Sequence, residues 1–222
     1  MDPELTVYHG SEEIFTNDDW STPNDSANVA NVTATLGGLA LTEGSKDAAL
    51  VATFSPGAYS MHLGGKAGSG IALAEIYDTD GGAKAQLLNI STRGRVGTGA
   101  TVMIPGIVVT ESSRRLLIRG IGPELETSFG FASGTTLPDP VLTLTNSAGQ
   151  VLATNDNWSD EAASVVAEIT SVASEVGAFA LTSGGGDAVM LVTLPPGVYT
   201  AQVTDANNGE GIAIVEVYAV TE

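Results

Sequence analysis

Asn155, Asp156, Asn157 and Asp160 put four oxygen-bearing side chains within six residues, and Asn17, Asp18 and Asp19 form a matching cluster near the start of the chain. A hard cation such as calcium takes about six to eight oxygens from carboxylates, amides and backbone carbonyls, so both clusters are candidate calcium sites. The same residue types accept hydrogen bonds from nearby backbone N–H groups, ordering turns and capping helices with no ion involved. Asn157 stands where the first cluster has Asp19, so the charge is not repeated. Each cluster runs into a tryptophan, Trp20 or Trp158. An exposed indole beside acids and amides would stack on a sugar ring; an indole repeated at one point of two copies serves equally as a packing anchor.

A second constellation is ionic. Glu75 and Glu216 interrupt the apolar runs 70–77 and 211–218, and alternation puts Glu216 on the face of Ile212, Ile214 and Tyr218. A carboxylate buried there requires a cationic partner. Arg93, Arg95, Arg114, Arg115 and Arg119 lie between the two runs, and Arg119 or Arg95 is expected to pair with one of the glutamates. The alternative is a strand end where the carboxylate reaches water. Catalytic groups are sparse. The two histidines, His9 and His62, answer a turn residue and Gln202 elsewhere, so no Ser-His-Asp arrangement belongs to a repeated design. Cysteine is absent, which removes thiolate catalysis and disulfides. Residues 94–99, GRVGTG, lack the Lys-Ser/Thr ending of a phosphate loop and lead into a Val/Ile strand. The chain is not expected to be an enzyme.

The elements that position these residues occur twice. Residues 2–7 (DPELTV) answer 139–144 (DPVLTL), 16–21 (TNDDWS) answer 154–159 (TNDNWS), and 47–51 (DAALV) answer 187–191 (DAVML). Likewise 56–59 (PGAY) answer 196–199 (PGVY), and 70–77 (GIALAEIY) answer 211–218 (GIAIVEVY). Matching blocks in one order, offset by short insertions, define two copies of one module. Residues 199–203 alternate apolar and polar, as a strand with one wet face does, while 188–194 and 211–220 read as central strands. Pro-Gly and Asn-Gly steps separate them. After each tryptophan the pattern turns helical: Ser159, Asp160 and Glu161 precede an Ala-rich run as a polar N-cap would, and 26–32 is its poorer counterpart. Between the copies, 80–83 reads as a linker and 86–92, 101–110 and 114–120 as three strands.

Charge is unevenly spread. The net charge is -18, yet six of the eight basic residues fall between Lys84 and Arg119 with one acid, Glu111, leaving a basic belt between acidic lobes. Acidity of this degree opposes nucleic acid and anionic membranes as partners. No apolar run approaches the roughly 20 residues of a membrane span. The first residues have neither the basic start nor the apolar stretch of a signal peptide, so an exported protein would be present here in mature or trimmed form.

The module resembles the repeat of large secreted bacterial proteins, in which DPxLxLxxxxGxxLxxNDxW precedes an Ala-rich segment, then DAxLxxLxPGxYT and a closing GxALVEVY; here these are 139–158, 187–200 and 211–218. The connector resembles the LxNxSxRxxVxxG and RxLIRxIGPxL segments that precede each module there, here 87–97 and 115–125. More distantly, the module is similar to bacterial pre-peptidase C-terminal domains, which are jelly-roll-like sandwiches. The resemblance implies export and a noncatalytic role.

The expected fold is all-β: two antiparallel, jelly-roll-like β-sandwich modules, 1–80 and 137–222, each with a short helix, joined by a basic strand-forming connector, 81–136. The expected function is structural. An extracellular or cell-surface protein would self-associate head to tail into a filament or surface layer, its arginines meeting the acidic lobe of the next copy and its apolar connector strands adding to a neighbouring sheet. The alternative is a monomeric, calcium-dependent module that binds a cell-surface or matrix polysaccharide.

Overall fold

Residues 2–9 set Leu5 and Val7 on one side of an extended chain, and that alternation is repeated by the second copy in the same sheet register. The computed structural model describes residues 1–22, 26–68, 70–79 and 86–220, and the chain divides into two units, 1–86 and 87–222. Residues 80–83, read as a linker, and Lys84 lie outside the described residues. The fold is mostly β, in three antiparallel sheets.

Unit 1 holds β1 (Asp2–His9), β2 (Glu12–Asn17), α1 (Ser26–Leu36) and β3 (Ser60–Ala67), with sheet order β2-β1-β3. Unit 2 holds β4 (Asn89–Val96), β5 (Gly106–Val109), β6 (Arg114–Ile121), α2 (Pro123–Phe129), β7 (Pro140–Asn146), β8 (Val151–Asn155), α3 (Ala163–Glu175), β9 (Ala188–Leu194), β10 (Gly197–Asp205) and β11 (Gly211–Val220). Its sheets are β5-β10-β7-β8 and β4-β11-β6-β9. They face each other across a core of Val109, Leu142, Leu144, Tyr199, Ala201 and Val203 from the first and Leu116, Ile118, Met190, Ala213 and Val215 from the second. On the outer face of the second sheet, Leu117, Val189 and Tyr218 pack with Trp158 and with Ile169 and Val172 of α3. Unit 2 is therefore a β-sandwich with one helix laid on its outside.

The stretch expected as a separate connector is not separate. β6 lies between β11 and β9, β4 flanks the other side of β11, and β5 pairs with β10. Hydrophobicity is the reason: β6 is apolar on both faces, sending Leu116 and Ile118 into the sandwich and Leu117 toward the helix, and all three are buried. The following segment forms α2, which the strand pattern did not anticipate. Pro123 opens it, Glu124 and Glu126 occupy its first turn, and Gly130 closes it at φ 71°. α3 begins after Ala162 with no side-chain cap, so Ser159–Glu161 do not act as the expected polar N-cap; Trp158–Asp160 form a 3-10 turn instead.

The first copy forms one sheet of the two. Leu5 lies opposite Asn17 and Leu63 as Leu142 lies opposite Asn155 and Val203, so β2-β1-β3 repeats β8-β7-β10. The counterparts of β9 and β11, at 48–54 and 70–77, have no strand assignment among the described residues. The topology of unit 2 explains this. β9 and β11 are not sheet neighbours, because β6 stands between them and supplies their hydrogen bonds. Unit 1 has no β6 equivalent among its described residues, so its two segments lack the strand that would organise them.

Candidate assembly site

The place where β6 enters the module is built around a buried ion pair. Register sets Arg119 directly opposite Glu216 on β11 and Val189 on β9. Arg119 Nε donates to Glu216 Oε2 at 2.8 Å, and Nη2 lies 2.6 Å from the same oxygen as a close ion contact without hydrogen-bond alignment. Nη1 donates to the carbonyl of Phe179 at 2.6 Å, and the guanidinium sits 4.2 Å from the centre of the Phe179 ring. The other oxygen of Glu216 accepts from Tyr218 Oη at 3.1 Å and from Ser91 Oγ of β4 at 3.4 Å. Both strands flanking Glu216 thus come from the connector. Burial, with the nearby Glu216 charge, pushes the Tyr218 hydroxyl up to about 12, so it stays a donor at neutral pH.

A second anchor lies at the end of β6. Asp187, fully buried, accepts from the backbone N–H of Gly122 at 2.9 Å and more weakly from that of Glu124, while its Oδ2 has no partner. Burial pushes its carboxyl up to about 6 against the opposing pull of those N–H groups. Glu124 behaves differently. Burial alone would raise it, but hydrogen bonds from Ser128 Oγ and from the Thr182 N–H hold its carboxyl below the ordinary range.

The remaining arginines are more exposed. Arg95 pairs with Glu210 at 3.1 Å, Arg115 with Glu168, Arg93 lies 5.8 Å from the Phe131 ring centre, and Arg114 is exposed at the start of β6. Glu75 of unit 1 is also exposed, and it accepts from Tyr77 Oη at 3.2 Å. The structure therefore joins Arg119 to Glu216, as the pairing expectation has it, and leaves Glu75 in solvent.

The amide and acid clusters act as framework. Asn155 Oδ1 accepts from the Val189 N–H at 2.8 Å, and Asn17 Oδ1 from the Ala49 N–H at 2.9 Å. The backbone N–H of Trp158 reaches the Asp187 carbonyl, and that of Trp20 the Asp47 carbonyl. Asp18 and Asp19 pair with Lys66 and Lys46, and the Asn157 carbonyl accepts from the Asp160 N–H. Asp156 adds its charge near Asp139, whose carboxyl is raised by burial and by Asp205 and Asp156. Among the described residues no three His, Cys, Asp or Glu side chains gather as a metal site. Trp20 and Trp158 are both buried, so neither offers an indole face to a sugar; the Nε1 of Trp20 donates to the Thr42 carbonyl at 3.1 Å. That corrects the glycan-contact expectation, because the tryptophans brace the turn against the helix from inside.

Ser91, Asp187, Tyr218 and Glu124 went unread as site residues. For Asp187 a signal was present, since Asp47 and Asp187 keep their type while the residues just before them do not. Glu124 carried none, because nothing repeats it.

No family model matches the chain, and no curated protein does. Among solved structures the chain is similar to the pre-peptidase C-terminal domain of a collagenase from Bacillus anthracis, at 14% identity and a TM-score of 0.34, covering 59% of this chain and 89% of that one. That likeness is distant.

Proposed function

We propose that this is a non-catalytic structural protein of the extracellular space or cell surface, assembling head to tail with chains built from the same connector-and-sandwich unit, copies of itself among them. One observation carries the reading: the segment that follows the first copy is woven into the sandwich of the second. β4, β5 and β6 enter both sheets of that sandwich, and an arginine from β6 neutralises the buried Glu216. Strand pairing and charge complementarity thus already complete one sandwich with a segment from outside the repeated blocks.

The surfaces left over suit the same chemistry between chains. β4 is an edge strand, with Ile90 on it and Leu88 just before it exposed beside Arg93 and Arg95. Unit 1 is acidic and exposes Ile71, Leu73, Ile76 and Tyr77. The monomeric carbohydrate-binding alternative requires an accessible indole, and burial of Trp20 and Trp158 counts against it.

Sedimentation velocity over a concentration series, at low and high salt, tests the proposal. Association that grows with concentration and weakens with salt is expected, because charges meeting across an interface are screened over about 8 to 10 Å. A single monomeric species at every concentration would contradict it.

A further inference from the structure

We infer that unit 1 is a receptor for a β-strand segment with the chemistry of residues 87–125, distinct from the one that unit 2 already holds. The inference rests on the assembly reading for its setting and deepens it by naming the acceptor and what it accepts. The template is inside the molecule. In unit 2, β6 fills the space between β9 and β11, hydrogen-bonding to both. In unit 1 the counterparts of those strands flank no strand among the described residues: residues 71–79 are all exposed, with Ile71 at 75% and Leu73 at 68%. The sheet that would face them is formed and waiting, yet Leu63 is 40% exposed where its counterpart Val203 is 0%.

The polar half of the joint is also laid out. Tyr77 Oη meets Glu75 at 3.2 Å as Tyr218 Oη meets Glu216 at 3.1 Å, and the arginine is what unit 1 lacks. Asp47, counterpart of the Asp187 that receives the Gly122 N–H, is exposed and accepts from Ser45 Oγ at 2.7 Å. Charge agrees with this assignment. Residues 1–86 carry twelve acids and three lysines, while 87–125 carry five arginines and two glutamates. One position differs: Leu39 stands where Phe179 stacks on Arg119, so a donor arginine in unit 1 would rely more heavily on Glu75.

The donor is not this chain's own connector, nor that of an identical copy. β6 is held between two strands of unit 2 with Arg119 buried, so it is not free to enter unit 1. Exchange between copies would fill one socket only by emptying another. A second connector-type strand leaves no socket open.

The test uses the full-length protein and a fluorescently labelled synthetic peptide of residues 87–125. One-to-one binding by anisotropy is expected, with new amide hydrogen-exchange protection at 48–54 and 70–77. Glu75→Gln, or Arg119→Gln within the peptide, should weaken binding about tenfold or more, the worth of a charge-assisted hydrogen bond. Leu73→Asp should do so through the apolar contact. Glu75 and Leu73 are exposed, so neither change threatens the fold. Absence of binding, binding indifferent to Glu75, or protection appearing only in unit 2 as the peptide displaces β6 would overturn the inference. Because the readout is peptide binding, a protein that stays monomeric alone yet binds the peptide would defeat self-association and leave the receptor standing.

Discussion

At the scale of single residues, two buried carboxylates of unit 2 work in opposite directions. Glu216 is matched by Arg119, and removing either partner strands a charge in the interior. Arg119→Met should cost unit 2 about 3–5 kcal/mol by denaturant unfolding, and a second change, Glu216→Leu, should restore much of it. Asp187 has no such partner. Its carboxyl is pushed up to about 6, above its ordinary 3.8, so between those values the folded protein holds the proton more tightly than the unfolded chain. Stability from this group is then fully present below about 3.8 and lost as pH rises through about 6, a swing on the order of 3 kcal/mol. Glu124 has the opposite sign, its depressed carboxyl contributing stability that is lost as pH falls below its ordinary 4.5. Unit 2 should therefore unfold at higher denaturant near pH 5 than at pH 7.5, and Asp187→Asn should flatten that difference. An unchanged slope in the Asn variant would show that Asp187 is not its source.

At the scale of elements, β6 decides whether a module has one sheet or two. It crosses β7 closely enough that a Cβ at Gly120 would stand 3.2 Å from Leu142 Cγ. Gly120→Ala should consequently destabilise unit 2 by roughly 1–3 kcal/mol through overpacking, measurable by thermal unfolding. The strand itself was legible: RRLLIRGI has the continuous apolar character of a strand buried on both faces, and its arginine has an evident partner in the glutamate of the closing strand. What its sequence did not disclose is position. Period two specifies which residues share a face but not which strands are neighbours, so a segment lying outside the repeat read as a connector. The asparagine and tryptophan clusters were ambiguous for a related reason. An amide that receives a backbone N–H from a segment 32 or 34 residues away looks, in one dimension, like a ligand for an ion.

At the scale of the whole molecule, the repeat was the most legible feature and also the misleading one. Similar blocks predicted two similar sandwiches, and their shared hydrogen bonds are indeed duplicated, from Asn17 and Asn155 to the tyrosines of β3's approach and β10, Tyr59 and Tyr199, which donate to Ser55 and Pro195. The modules differ because half of one sheet lies outside the repeated blocks. The most direct measurement of this account is amide hydrogen exchange across the full chain at neutral pH, comparing 70–77 with 211–218, segments of near-identical sequence. Slow exchange at 211–218, where β11 bonds to β6 and β4, with fast exchange at 70–77 is the result predicted. Equal protection at the two segments would mean that the first copy completes its second sheet without a donor strand, and the account of an open acceptor module would fail.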